Sequence, residues 1–238
     1  MISIIKSIFS ESNFNIIENL GIKTHGLEYL FATRHDENFF DFYLVVELTE
    51  DQLKTEDIDG IISDFFEDIL NAYEIPGIDK NLSLLLLVER PTSQYSDDFQ
   101  KLVYKYEEDP FKFKKYVLPF VKGQSEPLVL ESTLGRSIIE FINSVINDKD
   151  FFSAFKKDSS SLSTDEAKTY DIVSKLIIKL PFITLDIDDK SLPNLSEEID
   201  TEISPIDKNI IQNILDMPLE GISWDEILKS LEVENGEL

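Results

Sequence analysis

Proton transfer and metal ligation are the chemistries that His25, His35 and the many carboxylates invite. The two histidines flank a segment that reads as a strand, and a strand of that length holds its ends too far apart for one metal ion. His35-Asp36 with Asp41 offers a second acid–base or metal constellation. His35, however, stands in a polar turn-like interval, RHDEN, where a solvated loop histidine is the simpler reading. Asp186, Asp188 and Asp189 ahead of Lys190 have the spacing of a nuclease D…DxK pattern. They open an acidic linker, and a fixed metal site needs ligands oriented on a rigid element. There is no GxSxG elbow, no GxGxxG and no P-loop GK[ST], and there is no cysteine. The expectation is a protein that is not an enzyme and has no cofactor, metal site or catalytic residue.

The most unusual cluster is YKYEEDPFKFKKYVLPF, Tyr104–Phe120. It gathers lysines and aromatics in a chain with 47 acidic and 22 basic residues and a formal net charge of −25. Asp109 and Pro110 have the types that start a helix, since the carboxylate caps an orphan N–H and proline lacks one. At helical spacing Phe113, Tyr116, Val117 and Phe120 then share a face, and Pro119 ends the turn. Lys112, Lys114 and Lys115 spread over the remaining surface, with Phe111 off the stripe near Lys115. Two readings compete. The aromatics are core and the lysines pair with acidic neighbours, or Phe111 and the lysines form a contact patch for a partner protein. Single-stranded nucleic acid is a weaker third reading, because Glu107, Glu108 and Asp109 adjoin the cluster.

The elements that position this cluster are legible in outline. GLEYLFAT (26–33) and FFDFYLVVEL (39–48) read as a hairpin, the second run covered on both sides. Ile58, Ile61, Ile62, Phe65, Ile69 and Tyr73 form the stripe of an amphipathic helix whose other face carries Asp57, Asp59, Asp64, Glu67 and Asp68. LSLLLLVE (82–89) reads as a doubly buried strand, closed by Pro91. Beyond about Ser125 the pattern turns helical, with Leu134, Ile138, Phe141, Ile142 and Val145 on one stripe. Ser163 with Glu166 has capping-box spacing ahead of a helix that Pro181 stops. The fold class is therefore α+β: an N-terminal mixed or antiparallel sheet with packed helices, then a helical C-terminal half. The expected regions are 1–125 with the sheet, 126–185 helical, an acidic linker at 186–205, and a two-helix tail at 206–238. Trp224, Ile227, Leu228 and Leu231 lie on one stripe of that tail, which either docks on a partner or folds back.

Composition excludes several partners. A charge of −25 repels the phosphate backbone and anionic membrane surfaces. The longest apolar run, LLLLV (84–88), is far short of a membrane span. The opening MISIIKSIFS has no signal-peptide form, and with no cysteine the location is expected to be cytoplasmic.

The acidic pair, D-P, aromatic and FKKYVLPF of Glu107–Phe120, preceded by a buried strand like LSLLLLVE, resemble the middle component of ABC-three-component systems of the Lamassu type. Agreement is looser over roughly Leu82–Ile146, and the termini resemble nothing nameable. The resemblance implies a small non-catalytic subunit of an antiviral complex, partnered by an SMC-like ATPase and a nuclease-type effector. It would reach DNA only through those partners. The competing classes are a stand-alone acidic DNA mimic that inhibits a nucleic-acid enzyme, and a small enzyme with an unrecognised site.

Overall fold

A computed structural model describes residues 1–17, 20–23, 25–35, 40–55, 57–159 and 161–186, together with 203, 204, 208, 211 and 212. The chain divides into two units, Met1–Asp186 and Ile187–Leu238. The sheet and the helices packed on it lie in the first.

The hairpin forms as its pattern predicts, except that Arg34 and His35, read as part of the turn-like interval, continue the strand because their backbones pair opposite Asp41 and Phe40. β2 (Glu28–His35) and β3 (Phe40–Thr49) pair antiparallel, with β1 (Asn15–Ile17) outside β2. From β3 onward the sheet turns parallel, running to β4 (Leu82–Arg90) and then β5 (Lys114–Val121). The strand order is β1-β2-β3-β4-β5, a mixed five-stranded sheet, and the fold is α+β. The β3–β4 crossover carries α2 (Glu50–Leu53), α3 (Ile58–Ala72) and α4 (Ile78–Asn81). The β4–β5 crossover carries α5 (Asp97–Glu107). α1 (Ile2–Glu11) precedes the sheet; α6 (Glu126–Thr133), α7 (Ile138–Asn147), α8 (Lys149–Asp158) and α9 (Asp165–Lys179) follow it.

Side chains alternate across each strand, so the sheet feeds two cores. Phe42, Leu44, Val46, Leu84, Leu86 and Val88 meet the α3 stripe of Ile58, Ile62, Phe65 and Ile69, with Phe99 and Tyr106 of α5. The opposite alternation, Tyr43, Val45, Leu85, Leu87, Leu118 and Phe120, meets α1, α7 and α9. This three-layer arrangement explains the unbroken LLLLV run. β4 has a parallel neighbour on each side and helices over both faces, so neither alternation is left to water.

Three local expectations are corrected. Lys114–Val121 is a strand, not a helix begun at Pro110. The helix lies upstream, over Asp97–Glu107, capped by Ser96. Phe113 and Val117 face one core while Tyr116, Leu118 and Phe120 face the other, a period of two. Pro119 is accommodated because β5 is an outer strand, where the missing N–H costs no ladder bond. Leu134 falls between α6 and α7 and is exposed, so the helical stripe begins at Ile138, where Ser137 caps α7. The cap of α9 is Thr164 rather than Ser163, its hydroxyl accepting from Ala167 N–H. Ser163 instead bonds Asp158. α9 does stop at Lys179, ahead of Pro181.

Candidate partner-binding surface

The loop joining α5 to β5 presents the most exposed large hydrophobic side chain among the described residues, Phe111, at 73% of full exposure. Its local sequence dictates the shape. Asp109 Oδ1 accepts from Phe111 N–H at 3.1 Å, the turn that an Asx side chain builds two residues ahead. Lys112 follows with φ of 70°, a left-handed conformation held in place by its neighbours.

Those neighbours are organised by Lys115. The side chain expected on the surface is buried, only 3% exposed, because strand alternation points it inward between Phe113 and Val117. A buried ammonium must be paired and hydrogen-bonded. Lys115 Nζ reaches Asp109 Oδ2 at 2.9 Å and donates to the carbonyls of Asp109, Phe111 and Phe113. One cation thus ties down three carbonyls and a carboxylate across five residues. Burial raises the Asp109 pKa, but hydrogen bonds from Lys115 and Phe111 N–H outweigh it and hold the carboxyl below its usual range. Phe113, the next anchor, is buried edge-on against Phe66 of α3, with ring centroids 5.1 Å apart. Phe111 is therefore displayed on a fixed frame.

Beside it lies a hollow of about 360 Å³ between α3 and α5, bordered by Asp59, Ile62, Ser63, Lys105, Tyr106 and Phe111. Lys105 pairs with Asp59 at 2.9 Å across this hollow, as the core-and-pairing reading of the cluster expects of its lysines. Lys112 and Lys114 are exposed, and Lys114 Nζ lies 5.4 Å from the Tyr116 ring centroid. Burial, reinforced by the Asp59 carboxylate, pushes the Tyr106 phenol well above its ordinary value, so it remains protonated.

A larger crevice, about 770 Å³, opens at the carboxyl ends of β3, β4 and β5. Nothing in the spacing of its residues along the chain points to it. Its floor is a buried pair, Arg90 Nε to Glu50 Oε2 at 2.8 Å, with Lys54 on the other Glu50 oxygen at 2.6 Å. The Arg90 guanidinium also lies 3.9 Å from the Phe99 ring centroid. Burial works to raise the Glu50 pKa, yet hydrogen bonds from Lys54 and Arg90 bring it below the ordinary value. A carboxylate held ionised in this way is unsuited to proton transfer near neutrality. The pair fastens α2 to the end of β4.

The remaining sequence candidates stay apart. His25 Nε2 lies 3.3 Å from Asp64 Oδ2 on α3, while the backbone of His35 pairs opposite Phe40 at the far end of β2. No group of three or more His, Asp or Glu side chains suited to a metal occurs among the described residues. Likewise, no described helix is long and apolar enough to cross a membrane. Asp186 is described; Asp188, Asp189, Lys190 and the tail stripe of Trp224, Ile227, Leu228 and Leu231 lie outside the described residues. No curated protein and no solved structure matches the chain. Over residues 41–143, from β3 into α7 and including the whole Phe111 loop, the chain matches the family of the ABC-three component (ABC-3C) system Middle Component 1.

Proposed function

We propose that this protein is a non-catalytic accessory subunit of an antiphage complex of the Lamassu type, bridging or regulating an SMC-like ATPase and a nuclease-type effector. The family match over residues 41–143 carries this reading and suggests an accessory role alongside other components of the system. The partner ATPase and effector supply the chemistry, and this chain supplies surfaces. Phe111 on its Lys115-braced loop is the primary contact, with exposed Lys112 and Lys114 beside it. Aromatic side chains fixed in advance make strong anchors, because little conformational freedom is lost when they are buried by a partner. The tail stripe of Trp224, Ile227, Leu228 and Leu231 is a second proposed contact.

The test is co-expression with the products of the neighbouring genes, followed by capture on a tag carried by this chain. The reading requires an SMC-like ATPase to be retained through size exclusion. Recovery of this chain alone, from cells in which those products are soluble, would contradict it.

A further inference from the structure

An outer parallel strand normally offers a row of unpaired N–H and C=O groups to any passing strand. Among the described residues β5 is the outer strand on its side of the sheet, and four of its outward groups, between Val117 and Val121, are already occupied. Val117 N–H donates to Glu107 Oε1 of α5 at 2.8 Å. Two residues on, Pro119 has no N–H, and its carbonyl accepts from Lys175 Nζ of α9 at 3.3 Å. Two further on, Val121 N–H donates to Gln124 Oε1 at 3.0 Å, and Val121 C=O accepts from Gln124 N–H at 3.0 Å. The period of two identifies these as the groups pointing away from β4.

The sealing side chains are themselves locked. Glu107 Oε1 also takes a hydrogen bond from Lys179, and Lys175 bonds Asp171. Gln124 is buried, and its amide donates to Asp171 Oδ2 at 2.6 Å and to Lys168 C=O at 3.2 Å. Side chains from α5, from α9 and from the turn after β5 therefore cover the edge from Val117 to Val121.

We propose that Glu107, Pro119, Lys175 and Gln124 form a seal that stops a second copy of this chain from adding to the sheet along β5. The seal keeps the sheet at five strands and leaves association to side-chain surfaces. Chain charge alone does not do this, because a net charge of −25 is screened by salt, whereas the half-buried pairs and hydrogen bonds of the seal are screened much less.

The full chain is compared with Glu107→Gln and Glu107→Ala/Pro119→Val by light scattering in 0.5 M NaCl, together with amide exchange at Val117. Gln keeps an acceptor for Val117 N–H, so that variant stays monomeric with a protected amide. The double variant restores an N–H and removes an acceptor, and its mass at least doubles. A double variant that is folded and monomeric overturns the proposal. Should it fail to fold, single Glu107→Ala decides: Val117 exchange accelerated about tenfold supports the seal, consistent with one lost hydrogen bond, and unchanged exchange overturns it.

Discussion

Lys115 holds the frame of Phe111, so the two residues answer different experiments. Lys115→Met leaves the Phe113 carbonyl, the half-buried carbonyls of Asp109 and Phe111, and the Asp109 carboxylate without their cation. Water can reach most of these groups once the lysine is gone, so the expected loss is about 1–2 kcal/mol, read as a shifted urea midpoint. Asp109→Asn keeps an acceptor for Phe111 N–H but removes the opposing charge, and about 2 kcal/mol is expected to go. The pH dependence has a definite sign. Asp109 and Glu50 both have depressed pKa values in the fold. Their stabilisation is complete above the unfolded carboxylate range of about pH 4, and is lost as pH falls through the lower folded values. Urea unfolding between pH 7 and pH 3 should show this loss, smaller in Glu50→Gln than in the parent chain.

Helices and strands are legible in the sequence where one period dominates and illegible where two compete. The α3 stripe and the β2–β3 hairpin carry a single unambiguous pattern, and both form as read apart from the added Arg34 and His35. Between Pro110 and Phe120, helical and strand spacing both place aromatics inward, and Asp109-Pro110 supplies a false helix start. Burial on two faces settles it, because only a strand lets Phe113 and Phe120 enter opposite cores. Lys115 misleads for the same reason: strand register puts it on one face with Phe113 and Val117, pointing inward. The Glu50–Arg90 pair has no local signal at all, its partners standing forty residues apart. Another long-range device fixes α7. Glu11 accepts from Ser137 Oγ and from the N–H groups of Ile138 and Ile139 at 2.8, 2.9 and 3.0 Å. A carboxylate at a helix N-terminus satisfies orphan donors and opposes the positive end of the dipole. Glu11→Ala should therefore cost about 1–2 kcal/mol, with faster amide exchange confined at first to the start of α7.

At the scale of the whole molecule, charge selects the partner. With 47 acidic and 22 basic residues in the chain, the proposed docking is expected to favour a basic protein surface over nucleic acid or another copy of the chain. Electrostatic attraction of this kind acts mainly on the rate of encounter. Association with the proposed ATPase partner should slow about tenfold on raising NaCl from 0.05 to 0.5 M, while dissociation changes little, as stopped-flow or surface-based kinetics would show. Contact at Phe111 has the opposite signature, since an apolar anchor resists salt and governs dissociation. The measurement that bears most directly on the account is therefore capture of the neighbouring-gene products by the Phe111→Ala chain. That side chain is 73% exposed, so the melting temperature should stay unchanged. Loss of most of the captured ATPase with an unaltered melt is the predicted result; full retention by the folded variant would contradict a docking role for this loop.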